Sequence, residues 1–309
     1  MRRRRPPQSD EPADRKRPDW ETDGASWPNR NASRFVRAAG LKWHVQEMGC
    51  VRTDRPQILL LHGTGAATHS WRDLMPILAR DAHVIAVDLP GHGFTDNPGP
   101  SWLAIDAMSK SLVQLLDTID AKPDVGVGHS AGAALLVRMA LDGLIAPRGI
   151  VSINGALMPF GGIGRTLFPS LARLLFLNPF APRLFARQAR DRARVQRLLD
   201  GTGSKLRDHH IDQYWSLMRT PDHISGALGM MANWDLEALI RDLPSLRCEL
   251  CLIAADGDKT VPPTDADEVQ KLYPRATTVM LDALGHLAHE EAPQRVADCI
   301  AAAMRQWRF

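Results

Sequence analysis

The sequence predicts an α/β fold, a mostly parallel, doubly wound sheet with a helical lid inserted between two of its strands. Short apolar runs recur along the chain, as expected for strands that are covered on both faces. Helical patterns separate these runs, and strand–helix alternation over such a length is typical of a doubly wound sheet. The alternation stops between about residues 156 and 246, where helical spacing alone continues.

Composition excludes several classes of protein. The 309 residues are 44% hydrophobic and 24% charged, so the chain can bury a large core without disulfides or a structural metal. The net charge of +3 is far from the basic surface of a nucleic-acid-binding protein. No apolar run is long enough for a transmembrane helix, and the basic N-terminus lacks the apolar stretch of a secretory signal peptide. Four scattered cysteines favour reduced thiols and a cytoplasmic protein, and no cofactor or metal site is expected.

Residues 1–30 are expected to form a disordered N-terminal tail, followed by one α/β domain over residues 31–309. Residues 2–18 contain four prolines and mixed charge, with few apolar side chains to bury. The arginines at positions 2–5 belong either to a solvated tail or to a segment that contacts anionic lipid or a partner.

The predicted elements follow in chain order. Residues 34–45 alternate as two strands around the turn at Gly40, and helices are predicted over 107–119 and 131–141, the second ended by Gly143. The predicted buried strands are residues 58–61, 84–87, 125–127, 150–153 and 250–253, and a further strand is predicted over residues 277–281.

The lid is basic as well as helical. Residues 161–200 contain eight arginines and two aspartates on a helical pattern. Two interpretations remain open: a plain lid that shapes the pocket of a small hydrophobic substrate, or a lid that also touches a membrane surface.

The strongest chemical motif is Gly128-His129-Ser130-Ala131-Gly132, which lies between a predicted strand and a predicted helix. A serine at the centre of G-x-S-x-G occupies a strained turn that exposes its hydroxyl. Gly128 and Gly132 are required because a Cβ at either position would collide with neighbouring backbone. Ser130 is therefore the candidate nucleophile.

A serine nucleophile needs a histidine base and a carboxylate that orients it, in the chain order Ser, Asp, His. Asp256 and Asp258 both follow a predicted strand, and the Asp-x-x-Val-Pro spacing favours Asp258, with Asp256 as a turn residue. His286 follows a glycine in a loop, whereas His289 begins a helix. We therefore predict Asp258 and His286 as the catalytic pair, with His289 in a capping or packing role.

The oxyanion of such a reaction needs two N–H donors, one from the residue after the nucleophile and one from an early loop. Ala131 and Thr64 are the predicted donors. Gly63 and Gly65 flank Thr64 and would let the backbone approach the substrate closely.

Together these motifs make residues 33–309 resemble the α/β-hydrolase superfamily. Further segments resemble the magnesium-chelatase accessory family of bacteriochlorophyll biosynthesis. They are residues 27–30, 62–71, 88–95, 128–133, 230–235 and 285–291. The resemblance implies a phototrophic bacterium, a tetrapyrrole ester as substrate, magnesium-chelatase subunits as partners and a position beside the photosynthetic membrane.

The predicted function is therefore a serine hydrolase of esterase type, associated with the magnesium-chelatase step. The alternative is a non-catalytic protein that binds porphyrin and presents it to the chelatase. A serine nucleophile argues against a dehalogenase or an epoxide hydrolase, and a complete triad favours an enzyme over a carrier.

Overall fold

The fold is taken from a computed structural model, which describes residues 15–51, 55–159, 175, 178 and 180–309. Its strands form an eight-stranded sheet in the order β1-β2-β4-β3-β5-β6-β7-β8. The strands are β1 (Ser33–Ala38), β2 (Leu41–Met48), β3 (Gln57–Leu61), β4 (His83–Val87), β5 (Val125–His129), β6 (Gly149–Ile153), β7 (Glu249–Ala255) and β8 (Thr277–Leu281). β1 and β2 are an antiparallel hairpin and β2 pairs antiparallel with β4, whereas all the other pairings are parallel. The predicted fold class is confirmed.

Helices cover both faces of this sheet. The described α-helices are α1 (Leu74–Leu78), α2 (Ile105–Thr118), α3 (Ala131–Leu141), α4 (Ala181–Gln188), α5 (Arg192–Asp200), α6 (Asp208–Met218), α7 (Pro221–Asn233), α8 (Leu236–Asp242), α9 (Asp265–Leu272), α10 (Ala288–Glu291) and α11 (Pro293–Gln306). Leu59 and Leu61 of β3 pack in one core with α2 and α3, while Ile58 and Leu60 pack in a second core with α1 and α11. This alternation explains why the strand is apolar at consecutive positions.

Helices α4 to α8 lie between β6 and β7, where the lid was predicted. Among them, α4 packs on α7 and α5 packs on α6. Part of the helical pattern predicted within residues 161–200, at residues 161–174, 176, 177 and 179, lies outside the described residues. None of the described helices has the length and apolar character needed to cross a bilayer.

The N-terminal boundary predicted at residue 30 needs a correction. Trp27 is buried, and its indole N–H donates to Thr68 Oγ1 at 3.1 Å. The backbone N–H of Asp222, in α7, donates to the carbonyl of Lys16 at 2.8 Å. Contacts with the domain therefore extend at least as far back as Lys16, because two tryptophans, Trp20 and Trp27, contact Phe94 edge-on and anchor an otherwise polar segment. The part of the predicted tail over residues 1–14 lies outside the described residues.

Candidate active site

Ser130 lies at the tight turn that joins β5 to α3. Its backbone angles are φ 50° and ψ −118°, a conformation that a non-glycine residue rarely adopts. The turn is held by the N–H of Ser130, which donates to the carbonyl of Ile153 at 3.0 Å. A Cβ on Gly128 would lie 2.4 Å from the backbone nitrogen of Ala133, and one on Gly132 would lie 2.1 Å from the carbonyl oxygen of Leu61. Backbone packing therefore leaves room only for glycine on either side of the strained serine.

The early loop approaches the same turn from β3. A Cβ on Gly63 would lie 2.8 Å from Nδ1 of His129 and 3.0 Å from Cβ of Ser130. Gly65 has open space around it, and its requirement for glycine comes from a φ of +75°. Close approach therefore accounts for Gly63 but not for Gly65.

Asp258 and His286 form a buried pair. Nδ1 of His286 lies 2.7 Å from Oδ2 of Asp258, and the carboxylate is 1% exposed. The other carboxylate oxygen, Oδ1, accepts hydrogen bonds from the N–H groups of Thr260 at 2.7 Å and Val261 at 2.9 Å. With both oxygens engaged, the carboxylate holds the imidazole with its Nε2 free for a second partner.

Asp256 and His289, the alternatives to Asp258 and His286, make other contacts. Oδ1 of Asp256 accepts a hydrogen bond from the N–H of Ala283 at 2.8 Å, which ties together two loops. His289 is fully buried, and its Nε2 lies 2.7 Å from Oγ of Ser70. Burial, together with the nearby His286, lowers the pKa of His289 to about 3, so this imidazole is neutral at physiological pH. Neither residue is in a position to orient or replace His286.

Thr64 and Ala131 bring two backbone N–H groups to the site. Both residues line the same cavity as Ser130, and neither N–H donates a hydrogen bond to a described residue. The hydroxyl of Thr64 donates to Sδ of Met230 at 3.0 Å, which ties this loop to α7 of the lid. Two unused donors beside a serine are suited to hold an oxyanion.

Ser130 and His286 both line the cavity, but no hydrogen bond joins them. The Ser130 hydroxyl makes no hydrogen bond with another described residue. Contacts between a nucleophile and its base often shorten when substrate binds, so the missing hydrogen bond does not exclude this pair.

The cavity has a volume of about 850 Å³ and lies between the sheet edge and the lid. Its size suits a ligand at the upper end of the usual range for small molecules. Its apolar wall includes Leu198, Leu199, Met218, Met230, Met231 and Trp234. Arg197, Asp235, Glu237 and Asp265 add charge to this wall, and Arg197 makes no ion pair with a described residue. The cavity can therefore accept a large apolar molecule with a polar group.

Sequence analysis missed Asn154, although its side chain connects the end of β7, just before Asp258, to the loop that holds His286. Its side-chain N–H₂ donates to the carbonyls of Gly285 at 3.1 Å and His286 at 2.9 Å, while its Oδ1 accepts the N–H of Ala255 at 2.8 Å. His129 adds a further contact, with Nε2 donating to the carbonyl of His286 at 2.9 Å. The signal available in the sequence was the position of Asn154, directly after a predicted strand.

A buried network around Glu290 was also missed. Its carboxylate accepts hydrogen bonds from the hydroxyls of Ser70 and Tyr214, each at 2.6 Å, and pairs with Arg72 at 2.8 Å. Burial raises the pKa of Glu290, and the three donors oppose that shift. Since Tyr214 belongs to α6, the network fastens the lid to the domain just behind His286. The described residues contain no cluster of His, Cys, Asp and Glu suited to a metal ion.

Comparison with known proteins agrees with this architecture. The model of the α/β hydrolase family matches residues 58–299. The magnesium-chelatase 30 kDa subunit of Rhodobacter capsulatus is 38% identical over 283 residues, which cover 92% of this chain and 96% of that protein.

Solved structures show the same fold at low sequence identity. An α/β hydrolase fold protein from Burkholderia ambifaria superposes with a TM-score of 0.73 at 19% identity, covering 88% of this chain and 97% of that one. The enol-lactonase from Burkholderia xenovorans superposes with a TM-score of 0.70 at 16% identity, covering 88% of this chain and all of that one.

Proposed function

The chain belongs to the α/β hydrolase family, and from this membership we propose that it is a serine hydrolase. In this proposal Ser130 is the nucleophile, His286 the general base and then the general acid, and Asp258 the residue that orients the imidazole. The backbone N–H groups of Thr64 and Ala131 stabilise the oxyanion. The observation that carries the proposal is the buried His286–Asp258 pair, at 2.7 Å, which opens on the same cavity as a serine in a strained turn.

The proposed reaction has two halves. His286 Nε2 takes the proton from Ser130 as Oγ attacks the ester carbonyl, and the carbonyl oxygen becomes an oxyanion between the two N–H donors. The intermediate collapses as His286 returns that proton to the leaving alcohol, which leaves an acyl group on Ser130. Water then attacks the acyl carbon, again with His286 as base, and releases the carboxylic acid and the free serine.

Throughout both halves Oδ2 of Asp258 accepts the hydrogen bond from His286 Nδ1–H and so fixes the tautomer and orientation of the imidazole. Two backbone N–H groups, from Thr260 and Val261, donate to its other oxygen and hold the carboxylate in place.

The substrate we propose is an ester of a hydrophobic molecule. The apolar cavity of about 850 Å³ supports this class. The relative from Rhodobacter capsulatus is named as a magnesium-chelatase subunit, and from that likeness we propose a tetrapyrrole ester and an association with magnesium-chelatase subunits. Arg197 would pair with a carboxylate of such a pigment.

Labelling with a fluorophosphonate probe tests the nucleophile without knowledge of the substrate. Wild-type protein should be labelled on Ser130, and Ser130→Ala should abolish the signal. Ser70→Ala is the matched control, since Ser70 also contacts a histidine, His289, but is 1% exposed and outside the cavity wall. Labelling that survives Ser130→Ala would contradict the proposal.

A second candidate function is a porphyrin carrier, favoured by the relative's name as a subunit of the chelatase. Complementation of a deletion strain separates the two functions. A hydrolase requires Ser130, so Ser130→Ala at wild-type protein level should fail to restore pigment. A carrier would restore normal pigment with the same variant.

A further inference from the structure

Helix α4 buries its small residues and exposes large apolar ones. Ala181, Pro182 and Ala186 face the molecule, whereas Leu184 is 56% exposed and Phe180, at the start of the helix, is 71% exposed. A helix that packs only within its own fold has the opposite distribution. The exposed side of α4 therefore has the character of a second contact surface.

Basic residues share that exposed side. Phe180, Arg183, Leu184 and Arg187 follow the spacing i, i+3, i+4 and i+7, which places them on one face of the helix. Neither arginine makes an ion pair with a described residue, and α4 contains no acidic residue. Within the part of the chain that the structure describes, one helical face thus combines arginines without an acidic partner with exposed apolar side chains.

The next helix, α5, also has arginines and an exposed apolar side chain on one face. Arg194, Arg197 and Leu198 share a face by the same spacing, and Leu198 is 59% exposed. Arg192 and Arg194 have carboxylate partners, but Arg197 has none among the described residues. Six arginines and one aspartate occur between residues 180 and 199, so this part of the lid is strongly basic.

We propose that this part of the lid docks on an anionic lipid bilayer. The docking surface, here called the lid patch, consists of Phe180, Arg183, Leu184 and Arg187. Arg197 and Leu198 lie on the helix that follows after a short connection. The guanidinium groups of the lid patch match the phosphates of anionic headgroups, and its apolar side chains suit the boundary between headgroups and acyl chains. Helices that lie in the membrane interface combine basic and apolar side chains as the lid patch does.

Docking in this way would place the cavity beside the lipid. Arg197 and Leu198, on the helix that directly follows the lid patch, belong to the cavity wall. An apolar molecule dissolved in the bilayer would then reach the cavity without crossing water. The docking itself does not depend on hydrolysis.

Co-sedimentation with lipid vesicles tests the proposal. The full chain should sediment with vesicles of phosphatidylglycerol and phosphatidylcholine in equal parts, and much less with phosphatidylcholine alone. Arg183→Gln with Arg187→Gln should weaken binding by about fivefold for each arginine. Phe180→Ser with Leu184→Ser should weaken it by at least about tenfold for each side chain, because both lose their burial in lipid.

Matched controls change the same residue types elsewhere. Met280→Ser removes an apolar side chain that is 50% exposed on β8, and Arg37→Gln with Arg305→Gln removes two exposed arginines of β1 and α11. These variants should bind like wild type. A wild-type chain that ignores anionic vesicles would overturn the proposal, as would equal losses in the lid and control variants.

The arginines at residues 2–5 are a second source of positive charge. A full-length variant with serine at these four positions should keep most of its vesicle binding. If that variant loses binding while the lid variants keep it, the N-terminus holds the membrane and the lid patch does not.

Discussion

Asp258→Asn isolates the orienting role of the carboxylate. In the wild type, Oδ1 accepts two backbone N–H groups, from Thr260 and Val261, and Oδ2 accepts the N–H of His286 Nδ1. Asparagine has one acceptor oxygen, and the two fixed N–H donors will keep that oxygen facing them. Its N–H₂ group must then face His286 Nδ1, which can accept that hydrogen bond only when it carries no proton.

The imidazole proton therefore moves to Nε2, the nitrogen that must accept the proton from Ser130. An equivalent change of tautomer in a serine hydrolase triad lowers turnover by about 10⁴-fold, or about 5 kcal/mol of transition-state stabilisation. Stability should fall much less, by about 1 to 2 kcal/mol, because all three contacts of the side chain are retained in weaker, uncharged form.

The assay is the rate of fluorophosphonate labelling, followed by ester hydrolysis once a substrate is known, with thermal unfolding measured alongside. Asp256→Asn is the control, since Asp256 lies two residues away and accepts one backbone N–H without touching His286. It should label within about twofold of wild type. Labelling of Asp258→Asn within about tenfold of wild type, or equal impairment of the two variants, would refute the orienting role of Asp258.

Three further predictions concern stability. Gly128→Val or Gly132→Val should lower the free energy of unfolding by about 3 kcal/mol or more, because the new Cβ meets fixed backbone at 2.4 or 2.1 Å. Gly65→Ala, with open space but a φ of +75°, should lower it by about 1 to 2 kcal/mol. A different ranking in denaturant unfolding would contradict the close backbone packing at Gly128 and Gly132. Tyr214→Phe should lower the free energy of unfolding by about 1.5 to 3 kcal/mol, since it removes a hydrogen bond to the buried Glu290 carboxylate. Tyr273→Phe, which loses a hydrogen bond to the carbonyl of Cys248, should lower it by about 1 kcal/mol in the same assay. Burial lowers the pKa of His223 to about 4, and its Nδ1 accepts the N–H of Gly93. Between about pH 6.5 and 4 the unfolded chain therefore binds a proton at His223 that the folded chain does not. The free energy of unfolding should fall as the pH drops through this range, by up to about 1.4 kcal/mol per pH unit for this residue. His223→Gln should reduce that slope and His209→Gln, at an exposed position, should not; equal slopes would disprove the assignment.

The sequence by itself was sufficient for the sheet, the turn at Ser130 and the loops that follow β7 and β8. These features have local causes. Strands buried on both faces require consecutive apolar residues, as at Ile58–Leu61, and the turn excludes a Cβ at Gly128 and Gly132. The spacing around Asp258 and the glycine before His286 likewise favoured the residues that the structure pairs at 2.7 Å.

The tertiary structure alone decided which distant side chains surround these loops. Tyr214 and Ser70 lie 76 and 220 residues from Glu290, and nothing in the local pattern of a carboxylate says whether it will be buried or which donors it will meet. Trp27 joined an apparently disordered segment to the domain because Thr68 and Phe94 lie opposite it after folding. Local sequence encodes periodicity and backbone shape, whereas buried polar partners depend on which surfaces the sheet and lid bring into contact.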